Sequence, residues 1–235
     1  MSSDGTVVVV GGTRAIGLEV VRHYASTGRE VILTGRHAEH VAEAVKSVPG
    51  RVRGLTFDLA EPESIAPALA DVGPVRYLVL AAIDRDSNSV REYDIANGLR
   101  LVTLKLVGYT EVIHTLLPRM DDETAIVLFG GMAKERPYVG STTVSTVNGG
   151  VVGLTRTLVA ELRPIRVNSL HPGVVGDSPY WEEREAAVAA NTARTPINRL
   201  ATMQDVVGAV AFLLENRSVN GIELYVDGGL STGVL

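Results

Sequence analysis

The chain of 235 residues has no cysteine. That excludes disulfides, thiolate metal centres and a cysteine nucleophile. Aromatics are scarce at 5%, so no aromatic-rich surface for stacking nucleic-acid bases is indicated. There is no basic excess either: Lys and Arg number 22 against 27 Asp and Glu, a net charge of −5. A partner gripped mainly through its phosphate backbone is therefore not expected. No run of eighteen apolar residues occurs, and the polar start Met1–Gly5 lacks a basic segment and signal-type core. These absences predict a cytoplasmic protein that binds neither nucleic acid nor membrane.

What is present is apolar material, 46% of the chain, enough for one sizeable core. Short β-branched runs alternate with longer helical stretches. Strands are predicted at Thr6–Val10, Glu30–Thr34, Val52–Phe57, Tyr77–Leu80, Thr124–Phe129, Arg166–Leu170 and Gly221–Val226. Several are apolar throughout, which suits strands of a parallel sheet covered on both faces. Helices are predicted at Ala15–Ser26, Ala38–Val45, Pro62–Leu69, Val102–Leu117, Ser145–Glu161 and Thr202–Leu214. In the fifth, Val147, Val151, Leu154, Leu158 and Leu162 recur at helical spacing. Asp121, Asp122 and Glu123 read as a solvated loop. Strand and helix alternate from end to end without a linker or repeat. The expectation is one α/β domain over residues 1–235: a doubly wound, Rossmann-type fold on a seven-stranded parallel sheet.

The first strand runs into "GGTRAIG", Gly11 to Gly17, and then a helix. Gly11 permits a sharp turn, Gly17 permits close helix–sheet packing, and the helix N-terminus offers free amides to a pyrophosphate. At the end of the second strand, an NAD site would place an acid on the ribose hydroxyls. This chain has Gly35 and Arg36 there. Arg36 or Arg14 alone reads as a surface charge. Together, with the acid missing, they point to a 2′-phosphate and hence to NADP(H).

Residues spread along the chain resemble the short-chain dehydrogenases/reductases. "GGTRAIG" is similar to that family's glycine turn, with Val10 in place of its Thr and Ala15 in place of its middle Gly. Asp58 matches the family's acid near the adenine, and Leu78–Ala82 falls at its NNAG segment without the asparagines. "VNSLHPG", Val167 to Gly173, resembles the strand and Pro-Gly turn beside the nicotinamide, and "GIELYVDGG" resembles the last strand. The resemblance implies coenzyme contacts from Gly11, Thr13, Arg14, Ile16 and Gly17 in the turn. It implies further contacts from Arg36, Asp58 and Leu59, from Ala81 and Ala82, and from Pro172, Gly173 and Val175. It also implies a variable substrate lid at residues 178–200, and a homo-oligomer, dimer or tetramer, built through the fourth and fifth helices.

The family's Asn, Ser, Tyr and Lys catalytic set does not carry over. Those positions hold Lys105, Gly131, Val144 and Asn148. Valine has no proton to give an alkoxide, and a positioned general acid contributes roughly 10²–10⁴ in rate. A substrate whose reduced anion is delocalised, such as a quinone, enone or iminium ion, needs less of that help.

Lys105, facing a closed pocket, is a candidate acid or electrostatic clamp; otherwise it forms a buried ion pair or lies along a helix surface. Tyr138, in the loop before the fifth helix, is the other catalytic candidate, or it simply packs. Ser141, Thr142, Thr143 and Ser145 read as helix-start caps. Asn148 can hydrogen-bond a nicotinamide ribose without proton chemistry. His171 lines the coenzyme mouth or serves structure. His37 and His40 lack further ligands, so no metal site is expected. Tyr180 and Trp181 cover a flat ligand or pack. The expected activity is NADP(H)-dependent reduction of a carbonyl or conjugated small molecule. The alternatives are a non-catalytic coenzyme-binding sensor and a non-redox cyclase or dehydratase.

Overall fold

A computed structural model describes residues 5–84 and 86–233. Seven parallel strands form one sheet: β1 (Thr6–Val10), β2 (Val31–Gly35), β3 (Val52–Thr56), β4 (Val75–Leu80), β5 (Met120–Phe129), β6 (Arg166–Pro172) and β7 (Glu223–Val226). Their order is β3-β2-β1-β4-β5-β6-β7. The chain winds outward from β1 to β3, then crosses to β4 and winds the other way. The crevice at the C-terminal ends of β1 and β4 is the topological switch point, where open α/β sheets bind ligands.

The helices cover both faces, as continuous apolar strands require. On one side lie α1 (Ala15–Ser26), α2 (Ala38–Ser47) and, at the far end of the chain, α8 (Met203–Glu215). They pack on Val7, Val9, Leu33, Val79 and Val127. The other face packs α3 (Ile65–Ala68) and α5 (Tyr109–Leu116), together with α6 (Thr142–Glu161), against Val8, Ile32, Leu78, Leu80 and Ile126. Odd and even residues of β1 thus enter opposite cores, the period-two alternation of a strand. All ten of these strand residues are inaccessible.

The predicted strands and most predicted helices are present, with several boundaries corrected. The fourth helix begins at Ile95 instead of Val102, and α4 (Ile95–Val102) continues through a π-helical segment, Thr103–Gly108, into α5. Asp94 starts it by accepting the Asn97 amide at 3.0 Å. This Asp cap was legible; Asn97 and Gly98, poor helix formers, obscured it. Asp121–Glu123 belong to the start of β5 and not to a loop, because Met120 pairs with Val75 ahead of the regular register. Pro62–Leu69 is a 3₁₀ turn followed by the single turn of α3. The segment 178–200 contains α7 (Glu185–Ala193), none of whose residues is buried. Among the described residues no helix is long and apolar enough to cross a membrane.

Ile126, buried in β5, tests the packing. Ile126→Ala should cost about 2–5 kcal/mol, and Asp122→Ala, on the exposed end of the same strand, within about 0.5 kcal/mol. Urea unfolding measures both.

Candidate active site

The glycine turn is built by close backbone approach. Gly11 has φ +85°, and a Cβ there would lie 2.7 Å from the Ala82 Cα at the end of β4. A Cβ on Gly17 would meet the Gly11 carbonyl oxygen at 2.1 Å. Thr13 sits on Gly35, whose Cβ would meet its methyl at 2.5 Å. Ala15 adopts φ +48°, a conformation uncommon outside glycine. The first turn of α1 has no side-chain cap and no acidic residue. Its amides and positive dipole end therefore suit an anion. Ile16 is partly buried beside them, and Arg14 is exposed.

Arg36 follows β2 on the surface. Its Nη1 lies 2.9 and 3.0 Å from the two Asp84 carboxylate oxygens. Arg100 of α4 bonds Asp84 through Nε at 2.9 Å and Asp58 through Nη2 at 2.9 Å. Asp58 also accepts the Ala60 amide at 2.9 Å. Burial pushes the Asp58 carboxyl up, but the Ala60 amide and Arg100 outweigh it, so its pKa lies below the usual value. Leu59 is buried in the core, and its carbonyl lies against Gly108 of the π-helical segment.

Lys105, Gly131, Val144 and Asn148 behave differently from one another. Lys105 is 1% exposed in the π-helical segment. Among the described residues it has no ion-pair partner, and it does not lie on the helix surface. Its Nζ donates to the Phe129 carbonyl at 2.6 Å and to the Tyr109 hydroxyl at 3.0 Å. Tyr109 donates in turn to the Ala82 carbonyl at 2.8 Å. Burial pulls the Lys105 pKa down to about 7.

Asn148 is 2% exposed. Its Oδ1 is buried with no hydrogen-bond partner among the described residues. A Cβ on Gly131 would fall 2.8 Å from the Asn148 amide nitrogen, so glycine makes room for that side chain. Val144 is half-buried at the start of α6. Tyr138 is 59% exposed, in the loop before α6.

The hydroxyls around Val144 have partners other than the helix amides. Ser141 bonds the backbone of Tyr138 and the Ser145 hydroxyl, and Ser145 donates to the Ala133 carbonyl at 2.8 Å. They tie down the loop, where capping was expected. Asn88, on the loop after β4, is held by Asp94 and Thr143 and donates its amide to the Gly140 carbonyl.

His171 is buried at the end of β6. Its Nδ1 accepts the Gly131 amide at 3.2 Å, and Nε2 lies 3.1 Å from the Ser169 hydroxyl. Burial pulls its pKa down to about 4, with Lys134 adding to the effect. A neutral imidazole with both nitrogens partnered is a structural group. Pro172 and Gly173 are half-buried beside β7, where Gly173 donates to the Val226 carbonyl at 2.9 Å. Val175 is 4% exposed and belongs to the core, so only its backbone can face a ligand. Tyr180 and Trp181 pack edge-to-face, 4.9 Å between centroids.

Residue reading missed Tyr109, Asp84 and Arg100. The spacing Lys105–Tyr109 was a signal for the first; nothing local marks the other two. Among the described residues no three His, Asp or Glu side chains converge as a metal ion would need.

The family described as enoyl-(acyl carrier protein) reductase matches residues 10–231. A zebrafish (Danio rerio) protein, carbonyl reductase family member 4, is 31% identical and covers 95% of this chain and 96% of its own. The bovine (Bos taurus) 3-oxoacyl-[acyl-carrier-protein] reductase is 30% identical, covering 97% and 98%. A solved short chain dehydrogenase/reductase family protein superposes with TM-score 0.86 at 29% identity, covering 98% of this chain and 100% of its own. The chain belongs to the short-chain dehydrogenase/reductase family. Such proteins are oxidoreductases that hold a nicotinamide dinucleotide and act on small molecules. The glycine turn, the uncapped α1 and the unpartnered Asn148 oxygen fit such a coenzyme in this short-chain member.

Lys105 carries a pH signature. Its folded pKa of about 7 lies below the unfolded value of about 10.4. Between the two, the unfolded chain binds the proton and the folded chain does not, so stability rises with pH. Lys105→Met removes this contribution. Urea unfolding between pH 7 and 9 should show the wild-type chain gaining on the variant by about 1 kcal/mol per pH unit.

Proposed function

We propose that this chain is a cytoplasmic NADP(H)-dependent reductase of a carbonyl or conjugated small molecule, working without a tyrosine acid. The observation that carries this reading is the Asn148 oxygen. A buried acceptor without a donor costs about 1–3 kcal/mol, and a ribose hydroxyl is a donor of the right chemistry. In this reading Gly11, Thr13, Ile16 and Gly17 hold the pyrophosphate, and Arg14 and Arg36 face the 2′-phosphate. Asp58 and Leu59 flank the adenine. Ala81 and Ala82 line the crevice floor, and the Pro172–Gly173–Val175 backbone borders the nicotinamide.

A bound reduced nicotinamide supplies hydride. The residues of this chain position the acceptor and exclude water. Lys105 and Tyr109 hold the Phe129 and Ala82 carbonyls at the ends of β5 and β4, which makes Lys105 a positioning residue. Val144 keeps apolar the place where the family has its phenol, so the proton comes from water or the substrate's own hydroxyl. That favours quinones, enones and iminium ions over simple ketones. The segment 178–200 with Tyr180 and Trp181 serves as the lid, and Tyr138 lies at the rim. A homo-oligomer fits the exposed Ile95, Leu99 and Val107 on the α4 helix and its continuation.

The sealed amine of Lys105 and the valine at position 144 also favour a second reading, a coenzyme-binding sensor without turnover. The absorbance of NADPH followed across ketones, quinones and enones separates the two. Consumption is expected with a quinone or enone, and slower with ketones. Tight binding without turnover selects the sensor, and failure to bind either NADPH or NADH defeats both. Asn148→Leu should loosen NADPH about tenfold in calorimetry, the equivalent of one lost buried hydrogen bond.

A further inference from the structure

The charged groups at the C-terminal ends of β2, β3 and β4 form one chain: Arg36–Asp84–Arg100–Asp58. Two guanidiniums are matched by two carboxylates. The cluster is neutral before any ligand arrives, and the cation that would meet a phosphate is already in use.

The two carboxylates are not held alike. Asp58 is fixed by the Ala60 amide as well as by Arg100, each at 2.9 Å. Asp84, on the loop after β4, is bound by Arg36 and Arg100, and among the described residues no backbone amide donates to it. Its contact with Arg36 is also the more solvated one, the two side chains being 24% and 42% exposed. Exposed pairs of this kind contribute little to stability, so this contact exchanges easily. Asp58 and Arg100 have no reason to part.

A phosphate monoester carries about −1.5 to −2 charge and three acceptor oxygens. A single carboxylate offers −1 and two. Both seek the same Nη1 group of Arg36, and they repel each other if Asp84 stays. A ribose with a free 2′-hydroxyl brings no charge and can leave the pair intact.

We propose that Asp84 is an internal competitor for the 2′-phosphate: it occupies Arg36 until phosphate displaces it, and so sets how strongly this chain prefers the phosphorylated coenzyme. The proposal rests on the assignment of Arg36 to the 2′-phosphate made above. Asp84 is then a specificity-determining residue that need not touch the coenzyme, and it limits the preference that Arg36 would otherwise confer. It also keeps Arg36 and Arg100, two like charges, together in one place.

The test uses adenosine 2′,5′-bisphosphate and adenosine 5′-monophosphate as probes, titrated by calorimetry at low ionic strength. Proteins compared are the wild-type chain, Asp84→Asn, Arg36→Met and the double variant. Asp84→Asn should tighten the bisphosphate about fivefold and change the monophosphate less than about twofold, the scale of one exposed ion pair. In the Arg36→Met background the same change should tighten the bisphosphate less than about twofold, because only through-space repulsion is left to relieve. If Asp84→Asn leaves the bisphosphate unchanged, weakens it, or shifts both probes equally while Arg36→Met weakens the bisphosphate, the competitor role is overturned and the Arg36 assignment stands. If Arg36→Met leaves bisphosphate binding unchanged, both fall together.

Discussion

The crevice exists because two backbones come closer than any side chain would allow. Gly11 lies against the Ala82 Cα, and Gly17 lies under the Gly11 carbonyl, at separations where a Cβ would meet atoms at 2.7 and 2.1 Å. That contact brings the end of β1 to the end of β4, where the winding of the sheet reverses. It also aims the uncapped amides of α1 into the same space. The positions of Thr13 on Gly35 and of Tyr109 on the Ala82 carbonyl follow from it. A methyl group at either glycine would force the turn off the sheet.

Along this edge the polar groups fall into two classes, separated by how completely their hydrogen bonds are met. Lys105, Tyr109 and His171 are buried with partners assigned to their polar atoms, and burial drives both Lys105 and His171 toward the neutral form. They act as struts between strand ends. The Asn148 oxygen stands apart: it is as buried, but has no donor among the described residues. In a low-dielectric interior a partnered group rigidifies, and an unpartnered one is left for something else to satisfy. This difference separates scaffold from candidate ligand contact.

Glycines also make room for the buried polar side chains at this edge. Gly131 leaves the space that the Asn148 side chain fills, and Gly130 leaves the space for the His171 ring, whose atoms would lie 2.4 Å from a Cβ there.

Periodicity and glycine spacing by themselves determined the parallel α/β sheet and the turn after β1. Those properties depend on neighbours in the chain: alternation along a strand, a helix start after Gly17, an arginine where an acid would stand. Only the tertiary structure decided which charges meet. Arg36 and Asp84 are far apart in sequence, yet 2.9 Å apart in space, and no local pattern marks such a pair. The same holds for Lys105, whose sequence position allowed a clamp, an ion pair or a surface charge. Its surroundings, the Phe129 carbonyl and the Tyr109 hydroxyl, come from a strand and a helix brought together by packing. Local pattern sets what a segment becomes; protonation and pairing depend on the groups that the fold places against it.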